Sequence, residues 1–266
     1  MIPAAVDYVR AGSVEEALEA LVQPDAKLLA GGQSLIPAMK LRIARPSVVV
    51  DIGGLDLDGI AERDGELVIG ALTTWNDLER WSARPALRAL AECAAGIGDL
   101  QVRNQGTIGG GLAHADPASD MPAVTLALGA RLHLVASDGE RTVEAAELAL
   151  GPFTTSLGER ELITEVAIPM PPPGSGSAYV AVEHPASGFA LAGAAALVRA
   201  DGTRRVAVTG VAAAPLVLDG DLDGAIEQAE LFGDRFAPVE YRRALVRTVV
   251  RRAVELADER AREDRP

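Results

Sequence analysis

Residues 104–122, NQGTIGGGLAHADPASDMP, constrain the fold more than any other stretch, because four glycines and two prolines fall within it. A backbone so poor in side chains bends sharply and brings its N–H groups close to whatever lies beside it, as phosphate-holding loops do. The segment therefore reads as a glycine loop through Gly111, then Asp116 and Pro117, then a helix start at Ser119, Asp120 and Pro122. Two readings stand side by side: a cradle for an anion such as a diphosphate, and a surface loop of ordinary turn residues.

A second glycine pair lies far upstream in KLLAGGQSLIPAMKLR, residues 27–42. Residues 28–30 read as the end of a buried strand, Gly31 and Gly32 as the turn, and Ser34 as the N-cap of a short helix with Pro37 in its first turn. Strand, glycine turn and helix start aim free N–H groups and the positive end of a helix dipole at one point. Two such loops suit the two sides of one dinucleotide diphosphate. Neither is a P-loop, for no Gly-Lys-Ser/Thr follows, and the G-x-G-x-x-G begun by Gly96 and Gly98 fails at Gln101.

The rest of the pattern supplies scaffolding. Residues 13–22 read as a helix with a capping box from Ser13 to Glu16, and residues 47–51 as a buried β-branched strand that closes a small β-α-β unit. Asp64 and Gly65 signal a hairpin, and helical periodicity resumes from Thr73 through Trp75 and Trp81, which read as packing residues rather than a stacking pair. Helix 122–128, strand ARLHLVAS turning at Asp138 and Gly139, and strand 161–169 follow, with His133 facing away from the core. PMPPPGSGS then marks a boundary near 172–176. Beyond it come three antiparallel strands, 177–182, 189–199 and 205–211, and a helical region 222–260 whose basic positions read as the wet side of an amphipathic helix.

The inventory for chemistry is thin. The single cysteine, Cys93, excludes internal disulfides and a cluster held by this chain alone, and reads as a small buried apolar residue. His114, His133 and His184 lack partners at metal-ligand spacing, and His114 beside Asp116 reads as loop hydrogen bonding. Catalytic residues and metal ligands are therefore expected to be absent, with the chemistry borrowed from a cofactor. A net charge of -13 argues against nucleic acid. No run suits a membrane span and no leader precedes Asp7, so a cytoplasmic location is expected.

Through AGGQSLIPAMKLR (30–42) and GTIGGGLAHADPASDMP (106–122), the chain resembles the FAD-binding medium subunit of the molybdenum hydroxylases, a group that includes carbon monoxide dehydrogenase and the flavin domain of xanthine dehydrogenase. The resemblance implies an α+β architecture: a two-subdomain FAD-binding fold of the vanillyl-alcohol oxidase / p-cresol methylhydroxylase type over 1–172, split near 53, and a C-terminal sheet-plus-helices domain over 177–266. It implies FAD held by Ala30, Gly31, Gly32, Gln33 and Ser34 and by Thr107, Ile108, Gly109, Gly110 and Gly111. By the same resemblance Asp120 holds a sugar or adenine-side hydroxyl, Leu162 packs on the cofactor, and Phe189 lies near the flavin ring.

Four positions depart from that pattern. Gly111 stands where Asn is common, Ala181 and Glu183 where Lys and Arg are common, and Phe189 where Tyr is. The resemblance further implies a small iron-sulfur subunit and a large molybdenum-cofactor subunit as partners, in a complex that can be doubled, with electrons leaving through FAD to an external acceptor. Two other functions fit the same residues: a standalone FAD-dependent oxidase or dehydrogenase, and a scaffold subunit without flavin.

Overall fold

The computed structural model describes residues 2–81 and 83–264, so Met1, Ser82, Arg265 and Pro266, which the expected domain spans include, lie outside the described residues. Strand β1 (Asp7–Arg10), helix α1 (Val14–Ala20), strand β2 (Lys27–Leu29), helix α2 (Leu35–Lys40) and strand β3 (Val48–Asp51) form the first layer. The three strands are parallel in the order β1-β3-β2, which makes the apolar run 48–50 the buried centre. Ala17, Leu18 and Leu21 from the α1 side close over Val48, Val50 and Ile52. The Ser13 hydroxyl caps the Glu16 N–H as expected, but the Glu16 carboxylate accepts from Gly12 N–H rather than Ser13.

The hairpin of β4 (Ile60–Arg63) and β5 (Glu66–Gly70) turns on Asp64 and Gly65 at φ +52 and +79, the left-handed pair that matches strand twist. Helices α3 (Trp75–Arg80), α4 (Arg88–Gly96), α5 (Leu100–Arg103), α6 (Ile108–His114) and α7 (Met121–Leu128) follow, with a 3-10 turn at Pro85–Leu87. All eight residues of α7 are buried, so it is apolar all round, and it lies between two sheets.

Strands β6 (Arg131–Ala136) and β7 (Gly139–Glu144), helix α8 (Ala145–Leu148), the short hairpin β8 (Ala149–Gly151) and β9 (Thr154–Thr155), and strand β10 (Leu162–Pro169) complete this part. The second sheet is antiparallel, in the order β4-β5-β10-β6-β7.

The C-terminal sheet runs in sequence order through β11 (Gly176–Glu183), β12 (Ala190–Val198), β13 (Arg204–Thr209) and β14 (Leu216–Leu218). The short fourth strand adds to the three expected. Its remaining helices are α9 (Leu222–Gln228) and α10 (Val239–Glu263). The helical region expected over 222–260, with a long amphipathic stretch from Val239, is two helices parted at 229–238, the second starting at Val239. Pro238 lacks the N–H a helix needs, and a Cβ on Gly233 would sit 2.6 Å from the Val239 nitrogen.

Residues of α10 such as Val246, Val249 and Ala253 cover Ala192, Ala194 and Ala196 on one sheet face. Ala195, Leu197 and Ala207 on the other face join the core around α7. Arg242 corrects the expectation of a wet basic face. Only 4% exposed, it donates to the carbonyls of Leu191, Gly210 and Ala237 and to Asp234. Among the described residues no helix is long and apolar enough to cross a membrane.

Candidate functional site

The segment after β2 leaves its backbone donors open. Gly32 turns the chain at φ +70, and among the described residues no acceptor takes the N–H of Gly31, Gly32, Gln33 or Ser34. The Gln33 amide donates back to the Gly31 carbonyl at 3.2 Å, which braces the bend. Ser34 holds the predicted cap position of α2 but makes no capping bond. Its backbone is already helical at φ -104 and ψ -49, so the side chain does not reach back as an extended N-cap does.

The second segment differs from the expected loop. Gly109, Gly110 and Gly111 are helical, inside α6, and Thr107 is the N-cap, its hydroxyl accepting from Gly110 N–H at 3.2 Å. The other first-turn donors are also taken: Ile108 N–H by Thr73 O, Gly109 N–H by Ala71 O, and Gly111 N–H by Thr107 O. These glycines serve close approach rather than free turning. A Cβ on Gly109 would lie 2.6 Å from Ala71 Cβ, and one on Gly111 would lie 2.7 Å from the Trp75 ring. Trp75 is buried in the core, as expected, while its ring forms part of the cleft wall, and Trp81 packs on the same core.

The two segments meet. A Cβ on Gly31 would lie 1.8 Å from the Gln105 carbonyl oxygen, and one on Gly110 would come within 3.7 Å of Ala30 Cβ. Between them opens a cleft of about 570 Å³, within the usual range of small-molecule sites. Residues 30–34, Thr107, glycines 109–111 and Leu162 line it together. Open N–H donors along a bend that no side chain blocks suit an anion such as a diphosphate, so the residues present fit a dinucleotide.

Three expected residues stand apart from this cleft. Ile108 is fully buried in the core. Phe189 is half-exposed at the end of the 184–188 turn, where its carbonyl accepts from His184 N–H at 2.8 Å. Asp120 opens α7 without capping it, and its carboxylate accepts instead from the Tyr179 hydroxyl on β11. Burial pushes the Asp120 carboxyl up to about 6, Tyr179 pulls it back, and the neighbouring Glu183 charge adds to the rise. Burial foremost, then the Asp120 and Cys93 charges, raises the Tyr179 phenol well above its ordinary value.

Sequence reading missed the wall at 153–161. The hairpin of β8 and β9 is too short for periodicity to show, and Pro152 with Phe153 was its only signal. Asp116 makes a loop hydrogen bond of the kind expected, accepting from Ala118 N–H, while the His114 ring lies instead 5.2 Å from that of Phe153.

Comparison with known proteins agrees with this geometry. The family described as FAD binding domain in molybdopterin dehydrogenase matches residues 4–171. The carbon monoxide dehydrogenase medium chain of Afipia carboxidovorans is 38% identical, covering 98% of this chain and 100% of its own length. The 6-hydroxypseudooxynicotine dehydrogenase complex subunit alpha of Paenarthrobacter nicotinovorans is 36% identical, covering 98% and 97%. A solved carbon monoxide dehydrogenase structure from Hydrogenophaga pseudoflava superposes with a TM-score of 0.92 at 37% identity, over 98% of this chain and 99% of that one.

Proposed function

Because the chain belongs to the family of FAD binding domains in molybdopterin dehydrogenases, we propose that it is the flavin subunit of a molybdenum hydroxylase, an oxidoreductase complex. In this reading a large molybdenum subunit oxidises the substrate, a small iron-sulfur subunit relays the electrons, and an external acceptor collects them at this chain. FAD, when bound, supplies the two-electron chemistry that the side chains lack. The observation that carries the reading is the meeting of residues 31–34 with Gln105 and α6 on one cleft, with four backbone donors unclaimed.

The residues divide the work as follows. The N–H groups of 31–34 and the Ser34 hydroxyl hold the diphosphate, Thr107 and the helical glycines hold those donors in place, and Leu162 packs against the cofactor. In the same reading Asp120, beside Tyr179 on the side facing the C-terminal sheet, holds a sugar or adenine-side hydroxyl, and Phe189 lies near the flavin ring. The same reading treats residues up to 172 as the FAD-binding part in two halves and those from 177 as the C-terminal part.

The names of the relatives, a medium chain and a complex subunit, support partner subunits. Co-expression with small iron-sulfur and large molybdenum subunits is expected to yield a stoichiometric complex carrying flavin. Full substrate oxidation by this chain alone would overturn the proposal.

A further inference from the structure

The chain has four phenylalanines, and none is in the core: Phe153, Phe189, Phe232 and Phe236 are each 39% exposed or more. Phe153 is the most exposed, at 61%, and its backbone is unusual as well. It takes φ +54, a left-handed conformation that bulky side chains rarely adopt. The place is the two-residue connection between β8 and β9, where Pro152 fits the first position and glycine or asparagine would suit the second.

Surrounding structure fixes this conformation. Phe153 N–H donates to the Ala115 carbonyl at 2.8 Å, and Ala115 is itself left-handed, at φ +49, as the C-cap of α6. The Phe153 ring packs on His114 with centroids 5.2 Å apart and planes tilted by 52°. Strain of this kind persists only where the fold over-determines it, and here it presents a ring to the cleft that both side chains line.

The location selects a ligand chemistry. Thr107 and His114 stand at opposite ends of α6, about 10 Å apart at the helical rise of about 1.5 Å per residue. That suits a ribose and a base extending from a diphosphate held near Thr107. Aliphatic Leu28, Ile52 and Leu162 offer a surface for a flat ring. Glu161 is engaged with Arg141 and Gly158 N–H, whereas Glu159 has no partner among the described residues and stands as an acceptor. A purine amine and ribose hydroxyls are donors, and they match this wall. The imide edge of a flavin, two carbonyls flanking a single N–H, would meet the carboxylate mostly with acceptors.

We propose that Phe153 and His114 form a strained aromatic shelf for the purine end of the cofactor, and so set a preference for an adenine dinucleotide over a flavin mononucleotide. The proposal rests on the cleft being the FAD site. The test is titration of the full chain, stripped of flavin, with FAD, ADP and FMN, following flavin fluorescence or heat. Phe153→Ala is expected to weaken FAD and ADP about tenfold and leave FMN unchanged, while Phe153→Tyr keeps wild-type affinity. Phe153→Gly, which accepts the left-handed backbone without strain, is expected to melt no lower than wild type yet lose the same affinity. It separates loss of the ring from loss of fold.

Unchanged FAD affinity in Phe153→Ala, or an equal loss for FAD and FMN, would overturn the shelf while leaving the cofactor site intact. A wild-type chain that binds neither FAD nor ADP would overturn the site and the shelf together.

Discussion

The hydroxyl of Tyr179, on the first strand of the C-terminal sheet, donates to the carboxylate of Asp120 at the head of α7, which ties the two parts of the chain across a buried junction. Asp120 is held at about 6 against an ordinary 3.8, chiefly by burial. Below about pH 4 both folded and unfolded chains carry this proton, and nothing is lost. Between 4 and 6 the unfolded chain releases it first, so native stability falls as pH rises. The full penalty above pH 6 is on the order of 3 kcal/mol. Asp120→Asn is therefore expected to match wild type in melting temperature near pH 4 and to exceed it at pH 8. A difference that does not grow with pH would contradict this assignment.

Gly31→Ala places a methyl on the Gln105 carbonyl oxygen, so backbone must move and the two cleft-forming segments separate. Overpacking of this kind costs about 1–3 kcal/mol. The purified variant is expected to carry almost no flavin and to show a lower urea midpoint, both read from one denaturation series followed by absorbance.

Ser34→Ala removes a hydroxyl that lines the cleft and caps nothing. The flavin-free melting temperature is expected to stay within error. FAD affinity is expected to fall about tenfold to a hundredfold, the worth of roughly one hydrogen bond to a charged group. Calorimetric titration checks both halves, and a stability loss without an affinity loss would reassign the residue to the fold.

Arg242→Met removes a donor from the carbonyls of Leu191, Gly210 and Ala237, the last of which keeps Asp234 N–H, and frees the Asp234 carboxylate from the guanidinium. Asp234 is exposed and stays solvated, so the loss comes from buried carbonyls left unsatisfied, at about 1–3 kcal/mol each. Chemical unfolding of the variant is expected to show that loss, and a shift under 1 kcal/mol would mean water replaces the guanidinium.

The glycine pair at 31 and 32 and the convergence of two distant segments were legible in the sequence, because two adjacent glycines between a strand and a helix start mark a place where backbone crowds backbone or a ligand. Gly109, Gly110 and Gly111 misled, since a run of glycines reads as loop even when a Thr107 cap and close packing on Ala71 and Trp75 make it helix. Arg242 misled for a related reason. Its periodic place on α10 resembles a solvated arginine, and its acceptors come from distant segments, Leu191 and Gly210 of the sheet region and the turn of 229–238. Hairpin β4 and β5 and the first three strands of the C-terminal sheet were legible, because alternation and Asp-Gly turns are local signals. Phe153 was not, because no local pattern announces which loop residue a distant helix cap will hold.

Helix α10 is the last element of the fold, yet it covers one face of the C-terminal sheet and sends Arg260 back to Glu92 on α4 and to the Ser177 carbonyl. During synthesis, then, that alanine-rich face emerges bare and stays so until the helix leaves the ribosome. The N-terminal layers can settle as they appear, but the junction that joins them to the sheet is sealed only once that helix has emerged. A ribosome stalled just before residue 239 would display a sticky, half-closed intermediate, the form of this protein most in need of a chaperone.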